Sequence, residues 1–433
     1  MAGTNQEHSD SDDYLATTID DMIQNPPPFQ SNCCIYKVPQ RLRSVNEEAY
    51  TPEVVSIGPL HYGKAKLQPM EAQKQRYLKS FLSRNRNIKL KDCVKHLRTL
   101  ETEARTYYNE LQFSRNFESD EFVQMMLLDG CFIFEVFLIN TEEKTKSDPI
   151  FMSKSLFGSV YHDLLLLENQ LPYFVLEHLF NLINGPNKKC TQSSLLDLTV
   201  HNFSLVWKMA QIDSRSSRHQ IKHFLDLLLS CYTPPESKKS AANTEKLIFL
   251  PSATELRASG VKFKKRQSKR FLDIVFTNGV LKIPTLHVYE STEYRWRNLV
   301  AMEQGNGGNT SYVTDYVILM DFLINTPEDV TLLQSSGIIV NWLGSKEDVC
   351  QMFNRLGKGV ITDSEPSHYY SLVQDVNLYC RKQWHVWNRI LKTDYLDNPW
   401  TIISLAAAVL LLICTSIQAV CSIISVLPKN RNK

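Results

Sequence analysis

The chain has 433 residues, 43% of them hydrophobic and 22% charged, so it has ample apolar side chain for a core. At ~150 residues per domain that length allows two or three domains or one large helical body. Lysine and arginine number 48 against 46 aspartates and glutamates, a net charge of +2, which excludes nucleic-acid binding through a global positive field.

Residues 1–30 are acidic and serine-rich, a composition that predicts disorder, and they lack the basic n-region and apolar h-region of a secretory leader. Asn25-Pro26-Pro27-Pro28 forms a stiff entry to a body spanning 31–398. Pro39, Pro52 and Pro59, with Gly58 and Gly63, keep the chain extended and turning until Pro69, where a helix begins with proline in its first turn. From Leu90 the residues Val94, Leu97, Leu100, Ala104 and Tyr107 share one helical face. Phe122 to Ile139 is apolar enough to suggest a membrane span, but Gln124, Asp129 and Glu135 interrupt it. Each acid near a bilayer centre costs ~2.5 kcal/mol or more, so the stretch is expected to be a buried core helix. Asp163 to Pro172 ends one helix, and Tyr173 to Ile183 makes the next before Gly185-Pro186 stops it.

The middle of the chain changes character, with a β insert expected around 245–290. Leu247 to Leu250 is a short apolar run, and Phe271 to Phe276 is rich in strand formers. Asn278-Gly279 separates it from Val280 to Ile283, a strong hairpin signal that predicts a small antiparallel sheet. Helices resume after Glu290, and the last one before the C-terminal run carries Leu372, Val376, Tyr379, Gln383, Trp387 and Leu391 at helical spacing, with Trp384 alongside. The fold class is therefore mainly α, an α+β body with a small sheet.

Residues 399–427, and Trp400 to Leu427 in particular, run without one charge, longer than the ~20 apolar residues that cross a bilayer. Leu410 lies near its middle and Gln418 is its one strongly polar side chain; Trp400 and Tyr395 flank one end, and Lys429, Arg431 and Lys433 the basic tail 428–433. The expectation is a single-pass, tail-anchored protein with its body in the cytosol, most simply at the plasma membrane. Ser404 and Ala408 have the small-xxx-small spacing that lets two spans approach, which would allow a homo-oligomer. Ten cysteines show no C-x-x-C spacing, with Cys33 and Cys34 adjacent and Cys414 and Cys421 inside the span, so they read as buried thiols in a reducing compartment. The sequons at Asn202 and Asn309 would matter only with the body on the other side of the membrane.

Several stretches occur in a recognisable order: IYKVPQRLR, YTPEVVSIGPLHYG, PMEAQKQRYLKSFLSR, MMLLDGCFIFEVF, DLLLLENQLPYFVLEHLF, LPSATELRASGVKFK, NGVLKIPTLHVYESTEYRWRNLVAMEQ and the PW before the apolar run. Together they resemble the plant family called domain of unknown function 247, over nearly the whole chain from about Asn32, with Leu60 where tyrosine or phenylalanine is more usual. The resemblance implies a largely helical plant membrane protein with one C-terminal span and no established enzymatic activity. It also implies kinship with proteins associated with pollen–stigma self-recognition in grasses and with stress roles. It supplies no catalytic residues.

Three groups of residues are candidate sites. His219, His223 and Asp226 form HxxxHxxD, which on a helix shares one face and would suit a metal, yet no glutamate follows the first histidine, and the alternative is a solvated polar face opposite Ile221, Phe224, Leu225 and Leu228. Lys262, Lys264, Lys265, Arg266, Lys269 and Arg270 would meet anionic headgroups at ~1 kcal/mol each or form a solvated loop feeding the strand at Phe271. Asp129, Glu135, Asp163, Glu168 and Glu177 lie among apolar residues and read as general acids or bases, or as carboxylates paired inside a helical core. The glycines of 305–308 and 357–359 fit neither a dinucleotide nor a phosphate loop, and no G-x-S-x-G occurs.

No cofactor or metal is expected. The reading that follows is a membrane-anchored interaction or recognition protein without enzymatic activity, whose partners are membrane lipids and another protein. The alternatives are an enzyme using the buried carboxylates or the His219 face, and a permeabilising or transport protein acting through oligomerised spans.

Overall fold

A computed structural model describes residues 4–24, 32–84, 88–109, 112–113, 115–142, 148–184, 194–207, 221–233, 249–268, 270–305, 311–361, 367–381 and 399–426. The acidic N-terminal segment, whose composition predicts disorder, carries a helix, α1 (Thr4–Gln24). Apolar side chains at helical spacing, Tyr14, Leu15, Ile19, Met22 and Ile23, favour it, and all are exposed. The prolines of residues 32–67 hold that segment to one short helix, α2 (Gln40–Arg43), and two 3-10 turns. Pro69 then sits in the first turn of α3 (Gln68–Arg84), which is followed by α4 (Leu90–Thr106).

The core is built around α5 (Ser119–Thr141), buried from Met125 to Leu138 on every side, with Gln124 near its start exposed. By length and composition it is the one helix among the described residues that passes for a membrane span, and its burial makes it the core helix that its acids predict. Its neighbours are α3, α4, α8 (Tyr173–Asn184) and α9 (Leu195–Trp207), while α6 (Pro149–Met152) and α7 (Lys154–Asp163) lead from α5 to the turn before α8. Gly130 makes the α5–α8 approach possible, since a Cβ there would lie 2.4 Å from a Leu179 methyl. α10 (Phe224–Tyr232) closes this half.

α11 (Ala253–Ala258) starts in a capping box, with Ser252 and Glu255 each accepting the other's backbone N–H. The sheet that follows differs from the expected one. The basic stretch is itself a strand, β1 (Lys262–Arg266), and the run at Phe271 contributes only β2 (Val275–Thr277). β3 (Val280–Pro284) lies between them, antiparallel to β2 and parallel to β1, so the sheet is mixed and not antiparallel. The β2–β3 hairpin is as predicted, with Asn278 and Gly279 at φ 52° and 75°, the pair of positive angles a type I′ turn requires. The reason β1 escapes a loop reading is alternation: Phe263 turns in while Lys262 and Lys264 turn out, and lysines are what an exposed edge strand carries. A second, two-stranded parallel sheet pairs β4 (Leu286–Val288) with β5 (Ile339–Asn341).

Between and after these strands come α12 (Glu290–Gly305), α13 (Tyr312–Leu323), α14 (Pro327–Ser335), α15 (Lys346–Leu356) and α16 (Tyr370–Cys380). Trp296 of α12 stacks between Tyr232 and Tyr316, with centroids 5.7 and 5.1 Å away, joining α10, α12 and α13. Gln383, Trp384, Trp387 and Leu391, expected on the last helix of the body, lie outside the described residues.

The final helix, α17 (Pro399–Val426), covers the predicted span. Its apolar stretch with described side chains, Ala406–Ser422, is shorter than a bilayer crossing needs, so the fold establishes an exposed apolar helix and its membrane role is a proposal taken up below. Leu410 and Gln418 are exposed on it; the side chain of Trp400, and Leu427 altogether, lie outside the described residues.

Candidate functional site

The carboxylates singled out from the sequence are, with one exception, joints of the body. Asp129 on α5 meets Lys74 of α3 at 2.6 Å with both side chains buried, and accepts the Gly58 N–H at 2.8 Å. Burial opposes the lysine's charge, but Asp129 and Glu71 outweigh it and hold the ammonium above its ordinary pKa. Glu135 takes the Arg84 guanidinium at 2.6 and 3.0 Å. Asp163, at the end of α7, accepts three consecutive backbone N–H groups, from Glu53, Val54 and Val55, at 2.8, 2.8 and 2.9 Å. Glu168 gathers Arg43, His61 and the Val38 N–H; burial pushes its pKa up, but these partners hold it below the usual carboxylate value. Asn169 accepts the Ile57 N–H at 2.7 Å and returns a hydrogen bond to Val55 O at 3.0 Å. The turn after α7 thus clamps the proline-rich segment 38–58 to the core, as the core-pairing alternative expects. Glu177 is the exception: it is exposed on α8.

The HxxxHxxD face does not form. His219 lies outside the described residues, and His223 is no helical residue but the extended N-cap of α10, its Nδ1 accepting the Asp226 N–H at 3.3 Å while the Asp226 carboxylate accepts the Lys222 N–H at 2.9 Å. His223 is fully buried, which excludes the solvated face as well, and desolvation lowers its pKa to about 4. Among the described residues no group of three or more His, Cys, Asp or Glu side chains is placed to hold a metal, and the described cysteines are all free thiols.

A carboxylate outside the predicted set carries a pH dependence. Glu303, near the end of α12, accepts the Val313 and Thr314 N–H groups at 2.9 and 2.7 Å, satisfying the first turn of α13. Burial dominates these hydrogen bonds and raises its pKa to about 7. A carboxyl whose pKa rises on folding binds its proton more tightly in the native state, so its contribution to stability falls as pH climbs from the ordinary glutamate value to about 7. The expected result is a thermal midpoint that declines across that window, with a shallower decline in Glu303→Gln. Parallel pH profiles for the two proteins would contradict this assignment.

The basic cluster does not form one face: of its residues only Lys262 and Lys264 share an outward face of the three-stranded sheet. Lys262 and Lys264 project outward, and the register sets Lys282 of β3 beside Lys264. Lys265 points to the opposite face, against Gly337, and Arg266 is tied to Asp273 at 2.8 Å. Arg270 is half-buried and Lys269 lies outside the described residues. Next to this sheet runs α16, whose Tyr379 ring packs on Phe276 and over Gly279 of the hairpin. Phe276 pairs with Leu281 and Leu281 with Phe263, so α16 packs on the face opposite Lys262, Lys264 and Lys282.

The site that sequence reasoning missed is a cavity of about 620 Å³ between α7 and α12. Each helix lines it with the same spacing: Lys154, Ser155, Gly158, Ser159 and His162 from α7, and Glu290, Ser291, Tyr294, Arg295 and Asn298 from α12. Positions i, i+1, i+4, i+5 and i+8 share one helical face, so two faces oppose each other across open space. Leu165, Leu166, Tyr232, Phe271 and Trp296 also line it. A Cβ on Gly158 would meet no atom within 4 Å, which confirms the gap.

His162 joins this cavity to the clamp. Its ring lies edge-on to Tyr294 at 5.0 Å and its Nδ1 is 3.4 Å from Asp163 Oδ1, while Nε2 is buried with no hydrogen-bond partner among the described residues. On the same helix Ser159 donates to Glu53 at 2.5 Å. The rim is aromatic. His287 and Tyr289, both lining residues, stack at 6.3 Å and 10°, and Tyr289 stacks on Trp342 at 5.7 Å and 15°. The β4–β5 pairing sets this ladder by holding Trp342 N–H on Val288 O at 2.9 Å, and it leaves Trp342 62% exposed. The sequence signal for this site is the polar and aromatic helical stripe of YESTEYRWRN, which periodicity alone assigns to a solvated face.

The helical body with small sheets belongs to a plant protein of a family whose function is unknown. The model of that family, described as "Plant protein of unknown function", matches residues 35–414, and the chain belongs to it, the DUF247 family that its motifs resemble. It is 31% identical to the UPF0481 protein At3g47200 of Arabidopsis thaliana, over 92% of this chain and 88% of that protein. It is also 24% identical to the putative UPF0481 protein At3g02645 of the same plant, over 89% of each. No solved structure matches the chain.

Proposed function

We propose that this chain is a membrane-anchored recognition protein: α17 crosses the bilayer once, the body stays on the cytosolic side, and the cavity between α7 and α12 receives what is recognised. The exposure of α17 carries this reading. Ile403, Val409, Leu410, Leu411, Leu412, Ile413, Ile417 and Val420 are each 48–66% exposed. Every such side chain left in water forgoes ~1.5–3 kcal/mol of burial, and a bilayer recovers that in one step. Lys262, Lys264 and Lys282 support the sidedness, since they share one outward face of the sheet and the cytosolic leaflet is the anionic one. Engagement of Asp129, Glu135, Asp163 and Glu168 in structural pairs favours binding over catalysis. A role in reproductive self-recognition or stress signalling is the biological context we attach to it.

Fractionation tests the anchor. The full chain is expected to stay with membranes washed in alkaline carbonate, and a chain ending before Pro399 to move to the supernatant. Release of the full chain by the same wash would overturn the anchored reading.

A further inference from the structure

We propose that the cavity between α7 and α12 binds a neutral, polyhydroxylated ring, a mono- or disaccharide, with the Tyr289–Trp342 stack as its platform. The proposal deepens the recognition reading and rests on it only in taking this cavity as the binding site. Its volume of about 620 Å³ falls inside the ~300–1,000 Å³ of small-ligand sites. The charges lining it offset one another, Lys154 and Arg295 against Glu53 and Glu290, so an anion would face two carboxylates and a cation two cationic groups. A neutral ligand meets neither cost, and the hydroxyl groups of a sugar suit both signs, donating to carboxylates and accepting from ammonium and guanidinium groups.

One further feature narrows the class. Trp342 is 62% exposed although it is the largest apolar side chain available, and its plane continues the Tyr289 and His287 stack. A flat apolar face beside a polar cleft fits a ligand with one C–H face and a hydroxyl rim, which describes a pyranose.

The test uses the full chain in detergent micelles, with saturation-transfer NMR and calorimetry against glucose, galactose, xylose and cellobiose, and with glucuronate and glucosamine as charged rings. The expected result is saturable binding of at least one neutral sugar, with transfer strongest at its ring C–H protons, and at least tenfold weaker binding of the charged analogues. Trp342→Ala should weaken that binding at least tenfold, and Gly158→Phe, which fills open space, should abolish it. Both variants should melt within a few degrees of the parent, because neither removes a buried contact. No binding by any neutral sugar would overturn the proposal, as would a preference for a charged ring or binding that survives both variants. Since the readout is made in detergent, a failure here leaves the carbonate result standing, and failure of the anchor leaves the sugar result standing.

Discussion

Lys74→Met is expected to destabilise the fold by ~3–5 kcal/mol, a large part of the ~5–15 kcal/mol that holds a typical domain together. Methionine matches the stem of lysine closely, so packing between α3 and α5 survives and the loss is electrostatic. It leaves Asp129 in the centre of α5 with only the Gly58 N–H, and it removes the donor to Ser56 O, which Lys74 reaches at 2.6 Å. A carboxylate stripped of its cation in the core is driven towards its neutral form. Burial already raises the Asp129 carboxyl to about 6 beside Lys74; without the cation it rises further, so the variant's deficit should shrink on acidification and grow as pH rises towards neutrality. Adding Asp129→Leu should recover more than half of the loss, because two apolar side chains in this place need no partner. Urea denaturation of the two variants at two pH values decides the matter. A single-variant cost under ~1 kcal/mol, or no recovery in the double variant, would mean that the pair does not hold the core.

Much of this body is legible in the sequence because local rules and the final packing agree. α5 is readable as a core helix: its acids are too expensive for a bilayer yet affordable with one cation each, and Lys74 and Arg84 turn out to supply them. The Asn278-Gly279 hairpin is readable because few residue pairs accept two positive φ angles in succession. What escapes the sequence is set by distant partners. β4 and β5 pair in parallel with α12, α13 and α14 between them, so neither three-residue strand has a local signature. His223 reads as part of a polar helical face, but the helix starts one residue later, and an N-cap looks in sequence like the turn before it. The cavity is hidden for a related reason: a helical stripe of Ser, Glu, Tyr and Arg is the same whether it faces bulk water or a second stripe across a gap.

Asp163→Ala should cost ~2–6 kcal/mol and loosen the recognition site together with the fold. Three backbone donors converge on this carboxylate, and each donor left without an acceptor costs ~1–3 kcal/mol. Water replaces the lost acceptor readily at Glu53, which is exposed, but not at Val55, which is buried. Asp163→Asn should fall between the parent and the alanine variant: its one carbonyl oxygen can still serve part of the cluster, while its amide nitrogen confronts N–H groups that are themselves donors. Hydrogen exchange separates this from a general loss of stability, because the amides of Val54 and Val55 should lose protection in both variants more than the amides of α5 do. The same carboxylate fixes two cavity walls, Glu53 through its N–H and His162 through Nδ1, so sugar affinity should fall even where the protein stays folded. Protection at Val54 and Val55 that matches the parent in Asp163→Ala would show that the clamp is held elsewhere, by Asn169 and Glu168.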